Sequence, residues 1–351
     1  DKRTGGEGDG EKMSLILMND TVISSRIRLA RNIRDLPLPY KLRETYSAEA
    51  SGFFGKLVSD MRKLGFRVRC INEMTETERL SLIERHLISR DLSPESRFSA
   101  VALNETDDIS VMINEEDHIR SQCIMEGLRL NRAYERLNVL DDFFIKHYDI
   151  AFDDRYGFLT RCLTNAGTGM RASVMVFLPA LTITGEIRGV FEKLEGESIT
   201  VRGAYGEGTK AVSYLYQISN RHTLGLTEDE IIRSVSEAVS LVAEQEKRCS
   251  ERLLASDTLA LKDRIMRSLG TLLYACTLSL SEFITCFCNV KMGVGIGYIE
   301  LVSDNRFNAM IDKAQDATLS LISGYPPDSE EIKEVRAEKV SKWLKESLKI
   351  E

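Results

Sequence analysis

The sequence predicts an α+β fold, in which an antiparallel sheet flanked by helices is followed by a smaller all-helical domain. With 351 residues the chain exceeds the usual size of a single core, which favours two domains. Strand-like apolar runs alternate with glycine-rich loops between residues 160 and 226, and helical periodicity dominates after about residue 255. We therefore predict a flexible arm over residues 1–12, a larger domain over 13–252 and a helical domain over 253–351.

Composition excludes several classes of protein. The chain is 43% hydrophobic with only six prolines, which indicates a folded protein. No run reaches the roughly 18 apolar residues of a membrane span, and the charged, glycine-rich start is unlike a signal peptide, so we expect a cytoplasmic protein. The net charge of −7 argues against binding of nucleic acid. Seven scattered cysteines and four histidines indicate reduced thiols and no zinc site.

The first half of the chain contains helix signals followed by a hairpin signal. We predict helices between residues 41 and 95, one of them ending at Gly65 and another beginning with the capping pair Thr75 and Glu78. Two strands joined by a polar turn at residues 105–108 follow, and the second strand leads into the acidic segment 115–117.

The second half has two helices with apolar stripes. From residue 227 a long helix places a set of aliphatic residues on one face: Ile231, Ile232, Val235, Val239 and Val242. We expect the later helices to be interrupted at the glycine-rich segment 291–300 and at Tyr325-Pro326-Pro327. The last helix carries a stripe that could pack on its own domain or on a second copy of the chain: Ile332, Val335, Val340 and Leu344.

The segment "SSRIRLAR" has the alternation of a strand. If it is extended, Ser24, Arg26 and Arg28 share one face, while Ile27 and Leu29 share the other. Two arginines on one face could bind phosphate oxygens, although the segment alone fits a solvated strand edge better. Arg31 falls outside the alternation, which indicates a structural residue.

Further arginines stand beside glycines. "NAGTGMR" places two glycines before Arg171, and "VRGAYGEG" places Arg202 before three, so both loops could present backbone amides and a guanidinium to one anion. The second loop is not a phosphate-binding P-loop, because it ends Gly208-Thr209-Lys210 where that motif needs Gly-Lys-Ser/Thr. The HRD and DFG signatures of protein kinases are absent from the sequence.

The segment "NEEDHIR" offers carboxylates for chemistry. Glu115 and Glu116 at a strand end point to opposite sides, so one could serve a magnesium ion or its water and the other a substrate, although a solvated turn is an alternative. A guanidinium is fully protonated in water and needs carboxylates that orient it and accept a proton before it can attack phosphorus. Glu207 could supply a second carboxylate, and Cys162 is either a thiolate that holds a guanidinium or a buried thiol.

These motifs resemble those of a known family. "SSRIRLARN", "NEEDHIR", "CLTNAGTGMRASVM", "RGAYGEG" and "YQISN" occur in the order found in bacterial protein-arginine kinases of the McsB type, a branch of the phosphagen kinase family of ATP:guanidino phosphotransferases. The resemblance covers roughly residues 20 to 250, and the helical remainder is similar to that family's C-terminal domain.

The resemblance implies ATP with Mg²⁺ as cofactors and phosphoryl transfer to arginine side chains of proteins. It implies Glu116 as the base, Glu207 as its partner, Cys162 as the thiol beside the guanidinium and Glu115 as a residue that helps to place Mg²⁺ through water. It also implies a nucleotide site, with these residues: Ser24, Ser25, Arg26, Ile27, Arg28, His86, Arg120, Arg171, Ala172, Ser173, Val174, Met175, Arg202, Gly203, Ala204, Tyr205 and Gly206. His86 is implied at the adenosine end.

The implied partners are proteins with accessible arginines, an activator protein and a protease system that recognises phosphoarginine in a stress response. A homodimer is also expected. The chain lacks the N-terminal helical domain of creatine and arginine kinases, which favours a protein substrate. In place of the family's allosteric Arg-Asp-x-x-Arg-Ala motif it has Ile332 to Ala337, of which only Arg336 and Ala337 fit, and this departure argues against an allosteric pocket.

Two other functions stay open at this stage. The chain could phosphorylate a free small guanidino compound, or it could be an adaptor that binds a nucleotide without chemistry.

Overall fold

The computed structural model describes residues 21–42, 48–203, 213–256, 258–302 and 307–349. The predicted arm at residues 1–12 lies outside the described residues. The strands in the described part are β1 (Val22–Arg31), β2 (Arg67–Cys70), β3 (Ala100–Leu103), β4 (Ile109–Ile113), β5 (Ile119–Glu126), β6 (Phe152–Asp153), β7 (Gly157–Phe158), β8 (Met170–Phe177), β9 (Ile199–Gly203) and β10 (Leu215–Asn220).

Helices flank these strands and form the second half of the chain. In the same part of the chain they are α1 (Pro39–Leu42), α2 (Ala48–Lys63), α3 (Glu76–Glu84), α4 (Leu130–His147), α5 (Pro179–Thr184), α6 (Ile187–Gly196), α7 (Glu228–Ser256), α8 (Thr258–Tyr274), α9 (Leu280–Gly295), α10 (Met310–Lys313), α11 (Asp316–Ser323) and α12 (Glu330–Ser347). Short 3₁₀ turns lie at Ile71–Glu73 and Leu163–Asn165.

Eight strands form one antiparallel sheet in the order β2-β3-β4-β5-β1-β8-β10-β9. β6 and β7 form a separate two-stranded ribbon. The predicted α+β class, with an antiparallel sheet, flanking helices and a helical C-terminal region, is confirmed.

The central strand β1 has the predicted alternation. Ile27 and Leu29 are buried at 0% and 1% exposure and belong to the larger hydrophobic core, whereas Arg26 and Arg28 lie on the opposite face and stay partly exposed. Helices α2, α4 and α7 contribute apolar side chains to that core. One side of the sheet is therefore a packed core, and the other side is available for polar chemistry.

Local sequence signals placed several elements correctly. The capping box at Thr75 and Glu78 begins α3, Gly65 follows the end of α2 in the left-handed region, and β3 and β4 form the predicted hairpin. All five aliphatic residues of the predicted stripe on α7 are buried.

Residues 160–226 contain strands β8, β9 and β10, in agreement with the predicted strand-like runs, but the segment between β8 and β9 folds as α5 and α6. Pro179 occupies the first turn of α5, where its missing N–H costs nothing. Three side chains of α6, Val190, Phe191 and Leu194, enter the core. These apolar residues gave the segment its strand-like composition, although their spacing is helical.

The C-terminal helices form most of a second core, which includes Ile265 of α8, Phe283 of α9 and Leu344 of α12. Phe177 at the end of β8 and Leu215 at the start of β10 also belong to it. The expected interruption at residues 291–300 was wrong at its start, because α9 continues to Gly295. A Cβ atom at Gly293 would lie 2.5 Å from Ile265, so the glycine permits close packing of α8 and α9.

The final helix α12 turns its apolar stripe inward. Ile332, Val340 and Leu344 are buried within the chain, and Val335 is half-buried, so the stripe packs on its own domain. Arg336 is 1% exposed and donates hydrogen bonds to the carbonyls of Ala314 and Leu278, at 2.8 Å in both cases. It also pairs with Asp316, and this role is structural.

Among the described residues, no helix is both long enough and apolar enough to cross a lipid bilayer.

Candidate active site

Five arginines from four strands share the polar face of the sheet. In the register of the sheet, Arg28 lies opposite Arg171, Arg120 lies opposite Ala30, and Arg202 lies opposite Gln217. Residues that are directly opposite on antiparallel strands point to the same side, so one face carries Arg26, Arg28, Arg120, Arg171 and Arg202. The sequence predicted these residues separately, and the sheet brings them together.

Burial and, after it, mutual repulsion disfavour the positive charges on this face. Burial, with Arg171 and Arg120 nearby, lowers the pKa of Arg26 to about 10. Burial and the neighbouring arginines also lower the pKa of Arg28, well below its usual range, and that of Arg171. A guanidinium does not lose its proton at physiological pH, so these shifts express the free-energy cost of burying several positive charges close together. A bound polyanion would relieve it.

Most of these arginines have no acidic partner within the described ranges. Arg26, Arg28, Arg171 and Arg202 form no ion pair with a carboxylate of the described residues, and Nε of Arg28 and of Arg171 is buried without a hydrogen-bond partner. Arg171 donates one hydrogen bond, to Oγ of Ser219 at 3.0 Å. The unused donors fit the oxygens of a phosphate chain.

Arg120 differs, because it is held by Glu115. Its Nη1 donates to both carboxylate oxygens of Glu115, at 2.8 and 2.6 Å, and the carboxylate also accepts from Ser89 and from the backbone N–H of Glu116. Burial alone would raise the pKa of Glu115, but Arg120 and these hydrogen bonds outweigh it and lower the pKa.

Glu116, the next residue, lies in a different environment. Its side chain is 29% exposed, and its carboxylate lies 3.8 Å from Nη1 of Arg120. Burial raises its pKa above the ordinary value, and the negative charges of Asp117 and Glu115 add to this effect, against Arg120 and Arg161. A carboxylate with a raised pKa beside a cluster of cations is suited to accept a proton.

Asp117 brings the Cys162 loop to this acidic segment. Its Oδ1 accepts hydrogen bonds from the backbone N–H of Arg161 at 2.8 Å and from Nδ2 of Asn32 at 2.6 Å. Cys162 follows Arg161 in the chain. Its thiol is partly exposed and lies 2.9 Å from Oγ1 of Thr164. The structure thus places the predicted base and the predicted thiol on adjoining segments.

Two histidines near this face, His86 and His118, lie in different environments. His86 lines the cleft above the arginines together with Arg26, and burial, with Arg26, lowers its pKa to about 4. His118 accepts a hydrogen bond from the N–H of Ile33 at its Nδ1 and donates from Nε2 to the carbonyl of Pro37. Burial lowers its pKa to about 4. His118 is a structural residue.

Four residues of the predicted nucleotide site have side chains on the core face of the sheet. Ser25, Ile27, Ala172 and Val174 point into the core because they alternate with the polar positions. Oγ of Ser25 donates to the carbonyl of Gly127 and accepts from the backbone of residue 129. Their strand neighbours Ser24, Arg26, Ser173 and Met175 line the cleft instead.

The glycines of "NAGTGMR" have a packing role, which the sequence did not predict. Gly167 and Gly169 both adopt positive φ angles. A Cβ atom at Gly167 would lie 2.7 Å from the carbonyl oxygen of Thr223, and one at Gly169 would lie 2.4 Å from the guanidinium of Arg31. In the second loop Gly203 ends β9, while Ala204, Tyr205, Gly206 and Glu207 lie outside the described residues.

Glu115 does not fit its predicted role beside magnesium. Its side chain is 0% exposed, and both oxygens are occupied by Arg120, so it has no surface for a water that would bridge to the ion. Within the described residues no group of three or more histidine, cysteine, aspartate or glutamate side chains could hold a metal ion.

Sequence reasoning missed three contributors to the site: Asp117, Ile124 and Gln217. Ile124 and Gln217 line the cleft, whose volume is about 200 Å³. The register of β5 and β10 against their neighbours would have placed both on the arginine face, but that register depends on long-range pairing.

Comparison with known proteins agrees with this geometry. Residues 52–249 match the model of the ATP:guanido phosphotransferase C-terminal catalytic domain, and residues 258–350 match the model of the protein-arginine kinase McsB C-terminal domain. The chain belongs to the ATP:guanido phosphotransferase family. The resemblance drawn from the sequence is confirmed.

Similar proteins of this family are named protein-arginine kinase. One from Caldanaerobacter subterraneus is 37% identical over 93% of this chain and 97% of its own length. Another from Clostridium acetobutylicum is 41% identical over 87% of this chain and 90% of its own length.

Solved structures of two other family members share the fold. The duplicated taurocyamine kinase of Schistosoma mansoni, with bound transition state analog components, has a TM-score of 0.60 at 26% identity, over 74% of this chain and 40% of that one. Lombricine kinase has a TM-score of 0.56 at 24% identity over 65% of this chain and 67% of its own, a likeness of fold alone.

Proposed function

We propose that this chain is an ATP-dependent protein-arginine kinase. The observation that carries the proposal is the face of five arginines, four of which have no carboxylate partner among the described residues, beside the carboxylate Glu116 with its raised pKa. Such a face suits the phosphates of ATP, and Glu116 suits an acceptor that must be oriented and deprotonated.

In this mechanism a nitrogen of the acceptor guanidinium attacks the γ-phosphorus of ATP. The new P–N bond forms as the bond from phosphorus to the bridging oxygen breaks, and ADP leaves with the electrons of that bond. Glu116 accepts the proton lost by the nitrogen. Arg26, Arg28 and Arg171 hold the phosphates in line and neutralise the charge on the oxygens in transfer. In this proposal Cys162 contacts the acceptor guanidinium. Glu207 provides the second carboxylate that orients the guanidinium, beside that of Glu116.

The finer parts of the proposal rest on the family. Mg²⁺, bound with ATP, would neutralise further phosphate charge. We propose that the acceptor is a protein because relatives similar over 85–97% of their own length are named protein-arginine kinase. We also propose a cytoplasmic homodimer that acts in a stress response, with an activator protein and a protease that recognises phosphoarginine. Because the stripe of α12 is buried within the chain, the dimer would use another surface.

The test is phosphoryl transfer from labelled ATP. We expect acid-labile phosphate on arginines of an arginine-rich protein, detected by mass spectrometry that preserves the P–N bond, and much less transfer to free arginine. Preferential labelling of free arginine would instead indicate a kinase for small guanidino compounds. Nucleotide binding without any transfer would indicate an adaptor, and phosphate on serine would contradict the proposal.

A matched pair of variants tests the base. Glu116→Gln should lower turnover by about 10² to 10⁴, the contribution typical of a positioned general base. Glu105→Gln, in the exposed turn of the β3–β4 hairpin, changes the same functional group and should leave turnover unchanged. Equal turnover of Glu116→Gln and the wild type would remove Glu116 from this role.

A further inference from the structure

The cleft above the arginines continues past His86 into a second recess. Both parts are lined by Ser24, His86, Ile124 and Met175, so the recess of about 290 Å³ is an extension of the same cleft. Its far wall comes from the C-terminal helical region, from residues 308–312.

This wall is fixed to the helix that leads to His86. Glu84, the last residue of α3 and two residues before His86, accepts hydrogen bonds from the backbone N–H groups of Ala317 and Thr318 at the start of α11, both at 2.8 Å. The hydroxyl of Thr318 also donates to Glu84 at 2.8 Å. A carboxylate at a helix N-terminus is a favourable arrangement, so α3 and α11 are held together.

The wall is also anchored from its own side. The side chain of Met310 is fully buried in the second core, and Oδ1 of Asn308 accepts a hydrogen bond from Nζ of Lys291 at 2.7 Å. The recess therefore has fixed walls on both sides, one from the sheet and α3 and the other from the C-terminal helical region.

The chemistry of the recess differs from that of the arginine face. Aliphatic side chains, including Ile124, Met175 and Ile311, alternate with the carboxyl groups of Glu126 and Asp312. The guanidinium of Arg85, which also lines the recess, donates to Asp107 at 2.6 Å. A flat, apolar group with outward-facing hydrogen-bond donors fits these surroundings, whereas a phosphate does not.

We propose that the C-terminal helical region completes the nucleoside end of the ATP site, and that Asp312 selects adenine by accepting a hydrogen bond from its exocyclic amino group. The proposal rests on the proposed function, because it extends the nucleotide site of that function. Guanine presents a carbonyl oxygen at the corresponding position, and a carboxylate would repel it.

The ionisation of Asp312 suits this role. Burial raises its pKa to about 6, against the positive charge of Arg85, so the group is still mostly ionised at neutral pH. A carboxylate with little hydration loses little on binding the amino group and gains a charge-assisted hydrogen bond.

The experiment measures binding of ADP, GDP and inorganic pyrophosphate to the full chain by calorimetry. Asp312→Asn should weaken ADP binding about tenfold or more and narrow the ratio of ADP to GDP affinity, because an amide can donate to the guanine oxygen. Pyrophosphate, which lacks a nucleoside, should bind as it does to the wild type. Asp328→Asn, an exposed position in the same region, is the matched control and should change nothing.

Two results would overturn the inference. One is an unchanged ratio of ADP to GDP affinity in Asp312→Asn, and the other is a loss of pyrophosphate binding equal to the loss of ADP binding. Asp312→Ala, which removes the acceptor without adding a donor, should weaken ADP binding and should strengthen GDP binding less than Asp312→Asn does, because repulsion is lost but no hydrogen bond is gained. Thermal melting reports whether either variant is folded. Protein-arginine transfer by the wild type is assayed on the same preparation. Absence of that transfer contradicts the proposed function, whereas intact transfer with unchanged discrimination contradicts this inference alone.

Discussion

Two arginines on the same strand, Arg28 and Arg31, have opposite physical roles. Arg31 is 2% exposed, pairs with Asp141 at 2.7 Å, donates to the carbonyls of Ala30 and Thr168, and lies over the ring of Phe158. Arg28 has no carboxylate partner among the described residues, and burial, together with the neighbouring arginines, lowers its pKa. One charge is compensated and stabilises the fold, and the other is uncompensated and available to a ligand.

The neighbouring acidic segment repeats the contrast. Glu115 is buried and bound by Arg120, whereas Glu116 is partly exposed with a raised pKa. Adjacent residues of the same type therefore have different roles: the one whose charge the fold neutralises is structural, and the one whose charge stays uncompensated is available for chemistry.

The largest effect should follow from removing the compensated arginine. Arg31→Met leaves Asp141 buried without its cation, and loss of one member of a buried pair costs roughly 3–5 kcal/mol. Urea unfolding of the variant should show that loss, while ADP affinity of the remaining folded protein should be close to that of the wild type. The double variant Arg31→Met with Asp141→Leu should recover much of the stability, because no charge is then left unpaired. A single variant as stable as the wild type would contradict the structural role.

Removing the uncompensated arginine, Arg28, should lower activity and leave stability intact, the opposite of the result expected for Arg31. Arg28→Met should lower kcat/KM for ATP by about 10² to 10³, the range for one preorganised electrostatic contact. Its free energy of unfolding without nucleotide should be unchanged or higher, because repulsion on the arginine face falls. Arg34→Met, at an exposed position that pairs with Asp149 on the surface, is the control for loss of a positive charge. If Arg28→Met were as destabilising as Arg31→Met, the distinction between the two arginines would be lost.

Local patterns were sufficient to predict the elements that depend on neighbours in sequence. The alternation of β1 placed Arg26 and Arg28 opposite Ile27 and Leu29, and the Thr75 capping box began α3 as expected. The exclusion of Arg31 from the alternation pointed to its structural role, which depends on a contact 110 residues away in sequence.

Long-range packing determined what the sequence did not predict. The sequence did not show why residues 167 and 169 must be glycines: the backbone of residue 223 and the side chain of Arg31 occupy the space beside them. The role of Glu84 depends on α11, more than 230 residues later. Contacts of this kind leave no local periodicity, and only the folded chain shows them.

The smallest effect should come from substitution of Asp117. This substitution tests whether neighbouring negative charge raises the pKa of Glu116. The negative charge of Asp117 is one reason why the pKa of Glu116 is raised, so Asp117→Asn should lower that pKa towards its ordinary value. The base must be deprotonated to act, so activity of the wild type should fall on acidification through the raised pKa, and this acid limb should move to lower pH in the variant. Turnover at neutral pH should change by less than about tenfold.

The substitution is conservative in geometry. An asparagine at this position can keep its oxygen where Oδ1 accepts from Arg161 and Asn32, and its amide group would then replace Oδ2, which is buried without a hydrogen-bond partner. The pH dependence of kcat separates the two ways in which Asp117 could act. A shift of the acid limb with little loss at its plateau indicates an electrostatic effect on Glu116. An unmoved limb with a uniformly lower plateau would instead mean that Asp117 acts by positioning the Cys162 loop, and Glu116 would then owe its raised pKa to burial and Glu115.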